Sequence, residues 1–155
     1  MLITIPRKVY LAAVSAEGET DLNAFDACLV KAGLPQVSLI KVTSILPPNI
    51  QIVTSPPLLP LGCNVPSIYA YTVSEKSGEI IAGALAIGWT GKGPTLVAEL
   101  AERGLTKEEA EKEAYKRLIG MAKIRGLNLT NYKIISVEHE VKKCGCVLVI
   151  AAQVG

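Results

Sequence analysis

Three residues carry polar chemistry at points where the surrounding pattern is apolar or sharply bent. Asp26 lies in "TDLNAFDACLVKAG", where Leu22, Phe25 and Leu29 form an i, i+3, i+7 helical stripe and Asp26 falls four residues after Leu22. A carboxylate on that stripe is expected to face the core and to need a partner. A lysine or backbone donors would serve. So would a planar cation such as a guanidinium, whose paired N–H groups fit a carboxylate.

Glu99 interrupts the apolar run "TLVAEL". Burial there would raise its pKa and make it a general acid near neutral pH, while an edge-strand position would let it reach water. The third residue is Ser44, in "LIKVTSILPPN", residues 39–49, where a strand delivers a hydroxyl pair to a break held by two prolines. A restricted backbone is a setting in which a hydroxyl can attack the neighbouring peptide carbonyl.

The elements that must position these residues follow from periodicity and punctuation. "KVYLAAV" (8–14) reads as a strand, followed by a helix with Thr20 as N-cap and Gly33 just past its end. "QVSLIKV" (36–42) returns to strand. Pro47, Pro48, Pro56, Pro57, Pro60 and Pro66 then forbid a long helix and imply an extended segment. "PSIYAYTVS" and "EIIAGALAIG" read as one hairpin, and "YKIISVEHEV" with "GCVLVIAAQV" as a second. "TLVAELAE" (95–102) is read as a strand. A helix opens at Thr106, which forms a capping box with Glu109, and ends at Gly126 with Ala110, Ala114, Leu118, Met121 and Ala122 inward.

The 155 residues fit one domain, and 50% hydrophobic content supports a packed core. With 16 basic and 14 acidic residues the charge makes no case for a nucleic-acid partner. The N-terminus lacks signal-peptide organisation and no apolar run reaches about 18 residues, so no membrane association and a cytoplasmic location are expected. Cys28, Cys63, Cys144 and Cys146, with His139 the only histidine, lack metal-site spacing and read as small buried side chains; no metal is expected. Neither a phosphate-binding loop nor a pyridoxal-phosphate lysine setting is found.

Taken together, "SAEGETDLNAFD" (15–26), "LIKVTSILPPN", "LPLGCNVPSIYAY" (59–71), "GEIIAGALAIG" (78–88), "KEEAEK" (107–112) and "VEHEVKKCGC" (137–146) resemble the pyruvoyl-dependent arginine decarboxylases along nearly the whole chain. The resemblance implies that Ser44 attacks the Thr43 carbonyl to form an ester, and that elimination then splits the chain into a β chain, 1–43, and an α chain, 44–155. Ser44 would become a covalent pyruvoyl cofactor, without metal or pyridoxal phosphate.

It further implies that Glu99 returns a proton to the substrate carbon and that Asp26 binds the guanidinium of arginine, giving agmatine and CO2. The implied architecture is an α+β fold, a four-layer αββα sandwich, assembled as a homotrimer of αβ protomers. This chain departs from the family pattern at Thr43, where relatives often carry serine, and at Ser38, where relatives can carry an asparagine that assists processing. Glu99→Gln is expected to cleave normally and turn over slowly. An unprocessed binding or assembly homologue, or the same chemistry on histidine or ornithine, stands as the alternative.

Overall fold

A computed structural model describes residues 3–155. The elements run β1 (Lys8–Glu17), α1 (Asp21–Lys31), β2 (Ser38–Lys41), β3 (Ile45–Leu46), β4 (Gln51–Val53), β5 (Asn64–Ser74), β6 (Ile80–Trp89), β7 (Thr95–Arg103), α2 (Lys107–Arg125), β8 (Asn131–Glu140) and β9 (Gly145–Gln153). They form an α+β fold with a five-stranded sheet, β2-β5-β9-β1-β4, and a four-stranded sheet, β3-β7-β6-β8.

Both helices keep their expected signals. The Thr20 hydroxyl accepts from the Asn23 N–H, and Gly33 has φ 78° just beyond the C-cap. At α2 the Thr106–Glu109 capping box is complete and Gly126 closes the helix in the left-handed conformation.

Neither expected hairpin forms. β5 and β6 lie in different sheets, as do β8 and β9, so both connections cross from one sheet to the other. β5 pairs instead with β9 from Ser67↔Ala152 to Ser74↔Gly145, and β6 pairs with β7 and β8. Strands that bury both faces carry no in/out alternation to mark which neighbour they pair with.

Side-chain alternation shows how those faces are used. Cys146, Leu148, Ile150 and Ala152 of β9 cluster with Ala24 and Cys28 of α1, while Val149 and Ala151 cluster with Leu85 and Ile87 of β6 and Val97 of β7. Ala82, Ala84 and Ala86 of β6 meet Ala110, Ala114 and Leu118 of α2. Small residues on both sides let that helix approach closely.

Helix α1 also sits close, and its inner face is rotated away from the Leu22 and Asp26 end of the expected stripe while keeping Phe25 and Leu29 against the core. It buries Ala24 and Cys28, while Leu22 is 74% exposed and Asp26 is exposed too. A Cβ placed on Gly18 would stand 2.3 Å from the backbone nitrogen of Ala24, so α1 is seated on the small residues Ala24 and Cys28, with Phe25 and Leu29 packed part-buried at the flank of that face. Asp26 therefore faces outward.

Candidate active site at the Thr43–Ser44 crossover

Thr43 and Ser44 connect β2 of one sheet to β3 of the other. The Val42 N–H donates to the Ser67 carbonyl (3.0 Å), continuing the parallel β2–β5 ladder. Two residues later the Ser44 carbonyl accepts from the Val97 N–H (3.0 Å), opening the β3–β7 ladder. The intervening peptide bond is held from both ends by different sheets.

The segment after it is equally fixed. Leu46 is buried, the Thr95 hydroxyl donates to the Pro47 carbonyl (2.9 Å), and Asn49 turns the chain with φ 56°.

Glu99 reaches this crossover from β7. On that strand Leu96, Ala98 and Leu100 pack toward α2, which sends Val97 and Glu99 to the opposite face. The Ser44 hydroxyl donates to Glu99 Oε1 at 2.9 Å and approaches Oε2 at 3.3 Å. Burial raises the Glu99 pKa above the ordinary carboxylate value; the Ser44 hydroxyl, its own backbone N–H and the charges of Lys41 and Arg117 oppose that rise without cancelling it. Lys41 sits three residues before Ser44, with its Nζ 5.0 Å from the centre of the Tyr69 ring. Sequence reasoning missed Lys41, Val97 and Ile45, whose roles depend on charge proximity and backbone hydrogen bonds.

The structure thus joins Ser44 to Glu99 and leaves the other two predicted residues apart. Among the described residues no hydrogen bond or ion pair links Asp26 to either of them. Ser38 is exposed on β2, beside Asn64 in register, and its N–H donates to the Cys63 carbonyl (2.9 Å).

The cysteines and His139 fall outside this site. The Cys28 thiol donates to the Cys146 carbonyl (3.3 Å), and all four cysteines are free, three of them buried. Asp21, Glu75 and Cys144 place ligand-type atoms within 4.8 Å of one another, but the Cys144 thiol donates to Asp21 (3.1 Å), and burial together with that carboxylate pushes its pKa up to about 11. It keeps its proton at neutral pH. His139 is a strand residue whose Nε2 lies 2.5 Å from Glu17.

A serine hydroxyl held by a half-buried carboxylate, next to a peptide bond clamped between two sheets, defines a class of site suited to acyl transfer within the chain itself. Comparison with known proteins gives that class a family. Residues 8–154 match the family described as pyruvoyl-dependent arginine decarboxylase. A protein of that name from Methanocaldococcus jannaschii is 41% identical over 152 residues, covering 96% of this chain and 90% of the relative. Those from Thermococcus sibiricus (39% over 148 residues; 90% and 89% covered) and Methanothermobacter thermautotrophicus (38% over 143; 92% and 93%) carry the same name. The chain belongs to the pyruvoyl-dependent arginine decarboxylase family.

Proposed function

We propose that this chain cleaves itself between Thr43 and Ser44 and then converts L-arginine to agmatine and CO2. The observation that carries the reading is the 2.9 Å hydrogen bond from the Ser44 hydroxyl to Glu99, in a chain of this family.

The Glu99 carboxylate can take the hydroxyl proton as Ser44 attacks the Thr43 carbonyl, and the same group can later hold a proton for the substrate's α-carbon. This double duty revises the expectation that Glu99→Gln cleaves normally: losing the acceptor is expected to slow cleavage as well. The donor set fits a pyruvoyl group at position 44, since the Ser44 carbonyl is already held by Val97 N–H and a carboxylate stands over its side chain. When formed, that group supplies an electron sink for the pair left by departing CO2.

Asp26, exposed and without an ion pair among the described residues, is proposed to bind the guanidinium from a neighbouring subunit's side of the site. A homotrimer of αβ protomers would supply that neighbour, and the surface around α1 offers exposed Leu22 and Tyr71. The proposed layering is αββα, with α1 and α2 outside the two sheets; three of the apolar clusters, one helix on sheet, one sheet on sheet and one sheet on helix, support it. Under the same reading the single domain comprises a β chain, 1–43, and an α chain, 44–155. Among the described residues no helix is long and apolar enough to cross a membrane.

Agmatine formation from arginine, with ornithine and histidine as competing substrates, tests the reading. Agmatine with negligible product from the other two supports it. Turnover of ornithine or histidine alone would reassign the substrate, and a chain that stays whole and inactive would make it a non-catalytic relative.

A further inference from the structure

We infer that the backbone N–H of Ile45 is the oxyanion donor for self-cleavage at Thr43–Ser44. The inference rests on the self-cleavage reading above and adds to it the group that receives the developing negative charge.

The Ile45 N–H donates to the Thr43 carbonyl at 2.9 Å, closing a three-residue turn centred on Ser44. Among the described non-glycine residues only Asn49 has positive φ, so Ser44 keeps a negative φ and the turn is of the inverse γ type. Both ends are fastened: Val42 N–H is held by the Ser67 carbonyl, and the Ser44 carbonyl by Val97 N–H. The donor is therefore aimed before any reaction begins. Thr43 itself is exposed, and Ile45 N–H is the only protein donor on its oxygen among the described residues.

The step balances within the chain. Ser44 Oγ forms a bond to the Thr43 carbonyl carbon, its proton passes to Glu99, and the carbonyl π pair moves onto the Thr43 oxygen facing Ile45 N–H. Collapse re-forms the carbonyl and breaks the bond from that carbon to the Ser44 nitrogen, which receives the proton from Glu99. Ester and amine replace hydroxyl and amide with no net change in composition. A donor 2.7–3.1 Å from a developing oxyanion accelerates acyl transfer by about 10²–10³-fold.

The test replaces the Ile45 amide by an ester, incorporating the hydroxy acid analogue of isoleucine at position 45, with Ile45→Val as the control that keeps the N–H. Fragment formation is followed by gel and intact mass across pH. The ester chain is expected to cleave about 10²–10³-fold more slowly at every pH, with the pH midpoint set by Glu99 unmoved and Ile45→Val near the parent rate. An ester chain cleaving at the parent rate overturns the inference while leaving self-cleavage intact; a parent chain that never cleaves removes self-cleavage itself. Independently, the Ile45 amide in Ser44→Ala protein should be protected from hydrogen exchange, and exchange at the rate of an open amide would also overturn the inference.

Discussion

Glu99 is asked to act as a base during cleavage and as an acid during turnover, so the two reactions must run in opposite directions with pH. Burial places its pKa above the ordinary carboxylate value. Below that pKa the carboxylate is protonated and cannot take the Ser44 proton, so cleavage falls about tenfold for each further pH unit; above it cleavage reaches a plateau. Decarboxylation needs the protonated form and declines as pH rises through the same group. Cleavage also consumes the Ser44 hydroxyl, one of the contacts that hold the pKa down, so the midpoint for turnover should lie above the midpoint for cleavage. Lys41→Met removes a charge that lowers the Glu99 pKa and should move both midpoints upward. Glu99→Gln keeps a hydrogen-bond acceptor but cannot take a proton, and should slow cleavage by about 10²–10⁴-fold. The assay is fragment formation from freshly refolded precursor, and CO2 release from fully cleaved enzyme, each from about pH 4 to 8. Cleavage independent of pH over that range, or Glu99→Gln cleaving like the parent, would refute the reasoning.

The other predictions address anchoring and stability. Ser44→Ala should remain one uncut chain with an unchanged melting temperature, as read by gel and calorimetry. Once cut, the β chain should stay bound in native mass spectrometry and separate only in denaturant, because β1 pairs with β9 over nine residues and β2 with β5 over four. Gly18→Ala drives a Cβ against backbone of α1 and should cost about 3 kcal/mol, lowering Tm by roughly 6–12 °C. For Glu17, burial pushes the pKa up, but hydrogen bonds from His139 and from the N–H groups of Lys143 and Lys142, with the His139 charge, bring it down to about 2. Its stabilisation is complete above the ordinary carboxylate value of 4.5 and is lost as pH falls toward about 2, so Glu17→Gln should flatten the acid limb of a stability-versus-pH curve.

What could be read from the sequence was local. Thr20, Thr106 with Glu109, Gly33 and Gly126 mark helix ends through contacts within a few residues, and each is found in its expected place. Strand pairing was not legible, because β6 and β9 bury nearly every residue and an all-apolar run is compatible with either sheet. The exposure of Asp26 is not legible from apolar spacing, because the inner face of α1 centres on the small residues Ala24 and Cys28, and Phe25 and Leu29 pack only at its flank. Ser44 and Glu99 were each legible as unusual in their surroundings. Their contact, across 55 positions of sequence, depends on how β3 meets β7 and has no local signature.

The most direct measurement is the intact mass of the purified protein under denaturing conditions, with arginine turnover recorded on the same sample. Two fragments, 1–43 and 44–155, are expected, the larger lighter by one ammonia than simple hydrolysis would leave it and resistant to N-terminal sequencing, alongside agmatine production. A single uncut chain that releases CO2 from arginine, or fragments ending anywhere other than Thr43, would contradict the account.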